Sequence, residues 1–505
     1  MTTEKKSDMM RSVLKMTSAL GSGVTFLRRN EQNGTVVFVR ERKADKMGNK
    51  NDRICIVGGG PAGTSMAMYL EKNGYDNYVI YEKSGRVGGK AFSPMMEVTT
   101  RDGTKEMRTI EMGAVMGCDT YFAVHECEEF GGTSHLDGPP MGRRFMNVDG
   151  TPLKQSKLTL LKKVLKMKKL SKILATKYVG YDVNGHRGVA QGRYEGPCPS
   201  PEKKLAHIEG VNENLKDLTM PFSEFLKLNH CEDAEMVWKG PFTSFGYGYF
   251  DEIPAAYVLK YLDAFTVRQF LSTGKLWTWK NGTQSIWEGV NSHLKHPAVL
   301  NSEVTGITRK DGKVQVSING GAPEEFDRLI ICTPLEMFLS YGDPTDEEKD
   351  LFSKIVSKEY FTMAVRTRDE DAPDISYYYF DHMTNETRGH LMVFYHRWPD
   401  CGPQPLVTFT LRNHEGMPDV PTEKAQKMTL EDMAFSGLPV VKTERIDDWY
   451  YFPHVSSKDY ADGWYDKVEA MQGQKNTYYA GEIMSFGDME ETVEYSRDLV
   501  RRFFG

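Results

Sequence analysis

Residues 53–90, RICIVGGGPAGTSMAMYLEKNGYDNYVIYEKSGRVGGK, decide the fold of this 505-residue chain. Ile54-Cys55-Ile56-Val57 is a short apolar run of the kind that forms a buried parallel strand. Gly58-Gly59-Gly60-Pro61-Ala62-Gly63 follows with G-x-G-x-x-G spacing, and Thr64 to Asn73 reads as a helix carrying Met66, Met68, Tyr69 and Leu70. Tyr78-Val79-Ile80-Tyr81 is a second strand, and it ends in Glu82. Gly58 permits the tight turn, Gly60 lets the backbone approach a pyrophosphate, and Gly63 lets helix and strand pack closely. The N-terminus of that helix turns unpaired N–H groups and a positive dipole end toward the phosphates, which Pro61 and Ala62 of the loop also adjoin. Glu82 comes 19 residues after Gly63, where a carboxylate can accept hydrogen bonds from a ribose 2′-OH. A glycine motif alone is weak, but strand, helix and acid in this order point to a bound dinucleotide rather than an incidental turn.

A second glycine loop, Gly85-Arg86-Val87-Gly88-Gly89-Lys90, follows the acid directly. It resembles the signature of the flavin amine-oxidase superfamily, which usually ends in G-G-R; here Lys90 stands in the arginine position. The resemblance returns in Tyr479-Ala480-Gly481-Glu482 near the C-terminus, where that superfamily uses the acid on the ribityl chain. It implies FAD as the cofactor. It also implies that Lys83, Gly89, Lys90, Gly113, Ala114, Val304, Gly481, Glu482, Glu490 and Glu491 join the first loop in binding it. The small residues of Glu111-Met112-Gly113-Ala114-Val115-Met116 would lie beside the flavin, the alternative being a structural turn.

Composition is that of an ordinary globular enzyme, 39% hydrophobic and 27% charged. The net charge of −6 offers no global basic field for nucleic acid. Seven cysteines are scattered without C-x-x-C pairs, which argues against a disulfide framework or a zinc site. No apolar stretch is long enough to span a bilayer, so a soluble, cytoplasmic protein is expected. Residues 1–50 are basic, with 9–27 a weak amphipathic helix, and read either as an organelle-targeting peptide or as a loosely packed extension. Nothing in the sequence specifies an oligomeric state.

Along the chain, Asp137 to Phe145 reads as a turn leading into a strand. The adjacent Arg143 and Arg144 then point to opposite faces. A surface pair is the simpler reading; an inward arginine would need an anion such as a substrate carboxylate. Residues 153–178 form a helix with nine lysines, either a solvated basic face or one that rests transiently on an anionic membrane. Residues 190–210 read as a loop, and helix resumes near Pro221 to about 275. Its aromatic run 242–250 is either core or the wall of an apolar pocket. Strands follow over 303–332, with a hairpin at Asp311-Gly312, and again within 336–460. The fold expected is α/β: an amine-oxidase-like, discontinuous Rossmann-like FAD-binding domain (51–135, 285–335 and 465–505). To it are added a largely helical cap (136–284), a mixed-sheet substrate domain (336–464) and the extension 1–50.

Five longer strings are more specific than the flavin motifs: LATKYVGYDVNGH, PFTSFGYGYFDEIPAAYVLKYLDAF, LWTWKNGTQ, WYYFPHVSSKDYADGWYDKVEAMQG and YYAGEIMSFGDMEE. They resemble the FAD-dependent polyunsaturated fatty acid double-bond isomerases over about residues 51–505. That resemblance implies a free, linoleate-like fatty acid as substrate. Hydride would pass from its bis-allylic carbon to flavin N5 and return to a terminal carbon of the pentadienyl system, leaving conjugated double bonds. It implies Arg143 as the carboxylate anchor, and Phe245 and Phe270 as aromatic residues of the substrate tunnel. The segment after Phe270 is one residue longer than the bacterial pattern, which leaves chain length and regiochemistry open. The alternatives are a flavin-dependent amine or polyamine oxidase releasing peroxide, and a non-catalytic flavin-containing lipid carrier.

Overall fold

The computed structural model describes residues 25–29, 36–40, 49–137, 142–154, 156–178, 213–262 and 276–505. Four parallel strands form a central sheet in the order Thr477–Tyr479, Arg328–Ile331, Ile54–Val57, Tyr78–Tyr81. They are buried almost throughout. That is why each reads as a continuous apolar run rather than an alternating one. Helix Pro61–Lys72 leaves the first strand, with proline at the helix start, where a missing N–H costs nothing. The C-terminal helix Met489–Phe503 lies against it, and the Ser496 hydroxyl donates to the Ala62 carbonyl at 3.2 Å.

An antiparallel sheet of Val304–Lys310, Lys313–Ile318 and Glu324–Phe326 flanks this core. Its first hairpin turns at Asp311 and Gly312, both with positive φ, the geometry that matches strand twist in a two-residue hairpin. A second sheet has six strands in the order Val440–His454, Val356–Thr367, Leu406–Leu411, Val393–Tyr395, Ser376–Tyr379, Arg143–Met146. Its pairs are antiparallel except the last. Residues 136–284 are therefore not only a cap. Arg143–Met146 leaves that stretch to pair with Ser376–Tyr379 and so forms the edge strand of the sheet.

The cap contains helices Lys157–Thr176, Phe222–Leu228, Glu235–Thr243 and Ala255–Tyr261. Two buried ion pairs fasten it: Lys260 to Glu491 of the C-terminal helix at 2.5 Å, and Glu252 to Lys358 of the six-stranded sheet at 2.6 Å. Removing one partner of such a pair would leave a bare buried charge, which is strongly destabilising. In the N-terminal extension, Thr25–Arg29 and Val36–Arg40 pair antiparallel. Most of the expected 9–27 helix, the 190–210 loop and residues 263–275 with Phe270 lie outside the described residues. Among the described residues, no helix is long and apolar enough to cross a membrane.

Candidate active site

The carboxyl ends of the central strands open into a cavity of about 560 Å³. Gly58, Gly60, Pro61, Ala62, Glu82 and Lys83 line one end of it. Gly58 turns with φ +103° and its N–H donates to the Tyr81 carbonyl at 2.8 Å, tying the loop to the second strand. Gly63 is not on the wall. A Cβ there would stand 1.9 Å from the Gly58 carbonyl oxygen, so its hydrogen is what lets the helix start close against the strand. The Gly59 amide donates to the Glu82 carboxylate at 2.7 Å and the Ser84 amide does so at 2.8 Å. These bonds aim the acid across the loop.

The second glycine loop lies on the first. The Gly88 amide donates to the Gly59 carbonyl at 2.9 Å, and a Cβ on Gly89 would come within 3.2 Å of Gly60 Cα. Arg86 shapes this loop by donating to the Gly89 carbonyl at 2.7 Å, with its guanidinium 4.3 Å from the centre of the Phe92 ring. Gly89, Lys90, Gly113, Ala114, Val304, Gly481 and Glu482 all line the same cavity. Lys90 and Glu482 pair at 2.9 Å. A Cβ on Gly113 would lie 1.8 Å from the Lys90 carbonyl oxygen, so this backbone approach also demands glycine.

The other end is aromatic. Phe245, Tyr247, Tyr261, Tyr360, Trp449 and Tyr451 line it. Tyr360 and Tyr451 stack at 5.2 Å, and Tyr247 lies 5.4 Å from Tyr451. Gly246, with φ +89°, lets the cap press on Tyr360, since a Cβ there would stand 2.7 Å from that ring. The Trp449 indole donates to the Met112 carbonyl at 2.9 Å, which holds its plane. Burial pushes the phenols of Tyr247, Tyr261 and Tyr360 well above their ordinary range. They therefore stay neutral, and this end of the cavity is walled mainly by ring faces, with Asp488 near enough to act on Tyr247 and Tyr261.

Arg143 stands away from the cavity wall, on the edge strand. Its neighbour Arg144 goes to the opposite face, where its guanidinium lies 5.6 Å from the Tyr377 ring. On the Arg143 side, Phe145 meets Tyr378 at 5.9 Å, Tyr378 meets Tyr395 at 6.1 Å, and Tyr395 meets Phe245 at 6.1 Å. The Tyr378 and Tyr395 hydroxyls are 2.9 Å apart. Burial raises both phenols and the Arg143 charge pulls against that rise, which places the guanidinium within electrostatic reach of the pair. A file of rings thus runs from the cavity wall to Arg143.

Glu490 and Glu491 are corrected by the structure, since neither lines the cavity. The Glu490 carboxylate accepts the amides of Ala123 and Val124, both at 2.9 Å, and so caps helix Phe122–Gly131. Glu491 holds Lys260. Helical periodicity is the reason: Met489 and Thr492, three apart, face the cavity, and the two residues between them turn away. Arg86, Trp449 and Tyr451 were not singled out from sequence. Arg86 stands within the quoted second glycine loop, and the other two begin the string WYYFPH.

The parallel sheet, the paired glycine loops and the acid at the second strand's end define a flavin-binding oxidoreductase architecture. The profile for the flavin containing amine oxidoreductase family matches residues 61–494, and the chain belongs to that family. The crystal structure of the CLA-producing fatty acid isomerase from P. acnes is similar, with 43% identity and a TM-score of 0.80, covering 91% of this chain and all of that one. The FAD-dependent oxidoreductase oblC of Cochliobolus heterostrophus is 25% identical over 472 residues, 88% of this chain and 89% of that protein. The polyenoic fatty acid isomerase of Ptilota filicina is 24% identical over 331 residues, 61% of this chain and 63% of that protein. The cofactor of this chain is FAD. The cavity fits it, because the positions nearest the backbone are glycines whose added Cβ atoms would fill or distort the cradle.

Proposed function

We propose that this chain is an FAD-dependent isomerase that shifts a double bond of a free polyunsaturated fatty acid, linoleate-like, into conjugation. The observation that carries the reading is the file of rings from the aromatic end of the flavin cavity to Arg143. Such a row of rings would give a long apolar chain a surface to lie along, with its anion at the Arg143 end. The similarity to two fatty acid isomerases supports it.

Gly58, Gly60, Gly89 and the start of helix Pro61–Lys72 would hold the diphosphate, and Glu82 the ribose. Lys90, Gly113, Ala114, Gly481 and Glu482 would hold the flavin half. When bound, FAD supplies an acceptor and donor of hydride. Arg143 anchors the carboxylate by a charge-assisted, bidentate pair and so sets which carbons reach the reacting position. Phe245 presents a ring to the substrate. Positive charge developing on the pentadienyl carbons meets such a face at a gain of about 0.5–2 kcal/mol. The packed tyrosines exclude water from those carbons. Phe270 is proposed as a further tunnel residue on the resemblance alone.

The protein is proposed to work as a soluble cytoplasmic enzyme that collects its substrate at a lipid surface. Helix Lys157–Thr176 has no acidic residue. It exposes Leu161, Val164 and Leu165 on one face with Lys168 and Lys172, a pattern suited to an anionic bilayer. Co-sedimentation with anionic vesicles should fall in a Leu161→Ser/Leu165→Ser variant. Equal co-sedimentation of variant and parent would remove this helix from membrane contact.

The test of the activity is anaerobic. Purified yellow protein is mixed with linoleic acid and conjugated-diene absorbance is followed in the ultraviolet. Many turnovers without oxygen are expected. Absence of diene from linoleic and longer polyenoic acids, with peroxide released from amines in air, would replace this reading with an oxidase.

A further inference from the structure

Outside the flavin cavity, two imidazoles and a carboxylate converge. His125 and Glu128 are three apart on helix Phe122–Gly131 and so share a face. The helix stops at Gly132, whose φ of +65° turns the chain back and brings His135 to the same face. The His125 and His135 Nδ1 atoms lie 3.0 and 2.9 Å from the Glu128 Oε2 atom. One ligand atom from each of the three residues falls within 4.8 Å of the others. From this geometry we propose that His125, Glu128 and His135 form a binding site for a divalent cation of the zinc class.

Tetrahedral zinc with bonds of about 2.0–2.2 Å sets ligand atoms about 3.3 Å apart, so the side chains need only small adjustments to close on an ion. The surroundings also hold the ligands in place. The Trp279 indole donates to the second Glu128 oxygen at 2.6 Å. His135 lies flat on Trp277, with ring centres 3.7 Å apart and planes 5° apart. Glu129 stands 3.6 Å from the other nitrogen of His125, the position of an outer carboxylate behind a metal-bound imidazole. Glu128 is almost wholly buried, with its side chain 1% exposed, whereas half of His125 is exposed. A buried carboxylate requires a positive partner, and the open side leaves water access to a fourth position.

A second cluster, His382, His390 and Asp432, makes the contrast clear. There the His382 Nδ1 atom is bonded to the Leu391 carbonyl at 2.8 Å, and an Asp432 oxygen accepts the Leu391 amide at 2.9 Å. Two of its ligand atoms are thus committed to the backbone. Cysteine spacing could reveal neither cluster, because the ligands are imidazoles and carboxylates.

The proposed ion is a staple, remote from the chemistry. Helix Phe122–Gly131 begins directly after Tyr121, which lines the flavin cavity. Trp277 pairs with both Gly117 and Asp137 in a small sheet. An ion at this cluster would tie that sheet to the helix behind the cavity wall. The proposal does not depend on which substrate the cavity takes.

The experiment uses tag-free holoenzyme, stripped with a chelator and dialysed against zinc. Bound metal is measured by mass spectrometry and affinity by competition with a chromophoric chelator. One zinc per chain is expected, with affinity reduced about tenfold or more in His125→Ala and His135→Ala. Zinc should raise the unfolding temperature by about 2 °C or more in the parent and not in the variants. His125 is exposed enough that its loss should leave the fold intact. Failure to retain zinc, or equal affinity in both variants, would overturn the site. So would zinc binding that is lost only in His382→Ala, which would place the ion at the other cluster.

Discussion

At the cofactor end of the cavity, Gly58, Gly60 and Gly89 form the wall with bare backbone. At the substrate end, Phe245, Tyr247, Tyr360 and Tyr451 form it with rings. The first surface is set by atoms that are absent: a single added carbon at Gly63 or Gly113 would overlap a carbonyl oxygen. The second is set by side chains from distant segments, each replaceable by a smaller or differently shaped group. The cofactor end should therefore fail in an all-or-none way, and the substrate end by degrees.

The sharpest break is expected at Gly63. In Gly63→Val the new side chain meets the Gly58 carbonyl oxygen, so the helix must leave the strand. Flavin should be lost, read as the ratio of visible to ultraviolet absorbance after gel filtration. Full flavin occupancy in this variant would show that the close approach is not needed.

At the substrate end, Arg143→Ala should raise the substrate requirement about 10- to 100-fold. That is the worth of a hydrogen-bonded charge pair of roughly 1.5–3 kcal/mol. It should also scatter the positions of the product double bonds while leaving flavin bound. Chromatography of the products alongside initial rates is the check, and an unchanged product pattern would remove Arg143 from the mechanism.

His454 offers a pH-dependent contrast. Burial, followed by the nearby Lys358 charge, lowers its imidazole to about 4. The folded state therefore prefers the neutral form. Its contribution to stability is complete above the unfolded value of about 6.5 and is lost as pH falls from there toward 4, on the order of 2–3 kcal/mol. Thermal unfolding should weaken more steeply over that range in the parent than in His454→Gln. Parallel curves would mean that this imidazole titrates alike in both states.

The mildest effect is expected at Phe245. Phe245→Leu keeps bulk but removes the ring face, so turnover should fall by about 2- to 30-fold, matching roughly 0.5–2 kcal/mol. Flavin content should be unchanged. A collapse of flavin binding would show that the two ends are not built independently.

The parts of the site that could be read from sequence share one property, which is that their physics is local. Gly58, Gly60, Gly63 and Glu82 lie within one strand-turn-helix-strand unit, and their roles follow from turn geometry and helix polarity. Lys90, Gly113, Val304 and Glu482 were named through family resemblance, and they reach the cavity from separate segments. Arg86 escaped notice because its bond to the Gly89 carbonyl exists only after the second loop curls. Trp449 and Tyr451 escaped because alternation along a strand does not say which face meets a cavity. Glu490 and Glu491 misled because adjacency to a motif is not orientation, and the helix turned both away from it.

By itself, then, the sequence determined a dinucleotide cradle, a discontinuous flavin-binding unit and a family. Those depend on backbone freedom and on apolar runs, which are written in consecutive residues. Only the tertiary structure decided which side of the edge strand Arg143 occupies and how rings from the cap and the six-stranded sheet meet. It alone gathered His125, Glu128 and His135 around one point. These depend on side chains brought together across long stretches of chain, where the pairing of strands and the phase of helices, rather than spacing along the sequence, set what touches what.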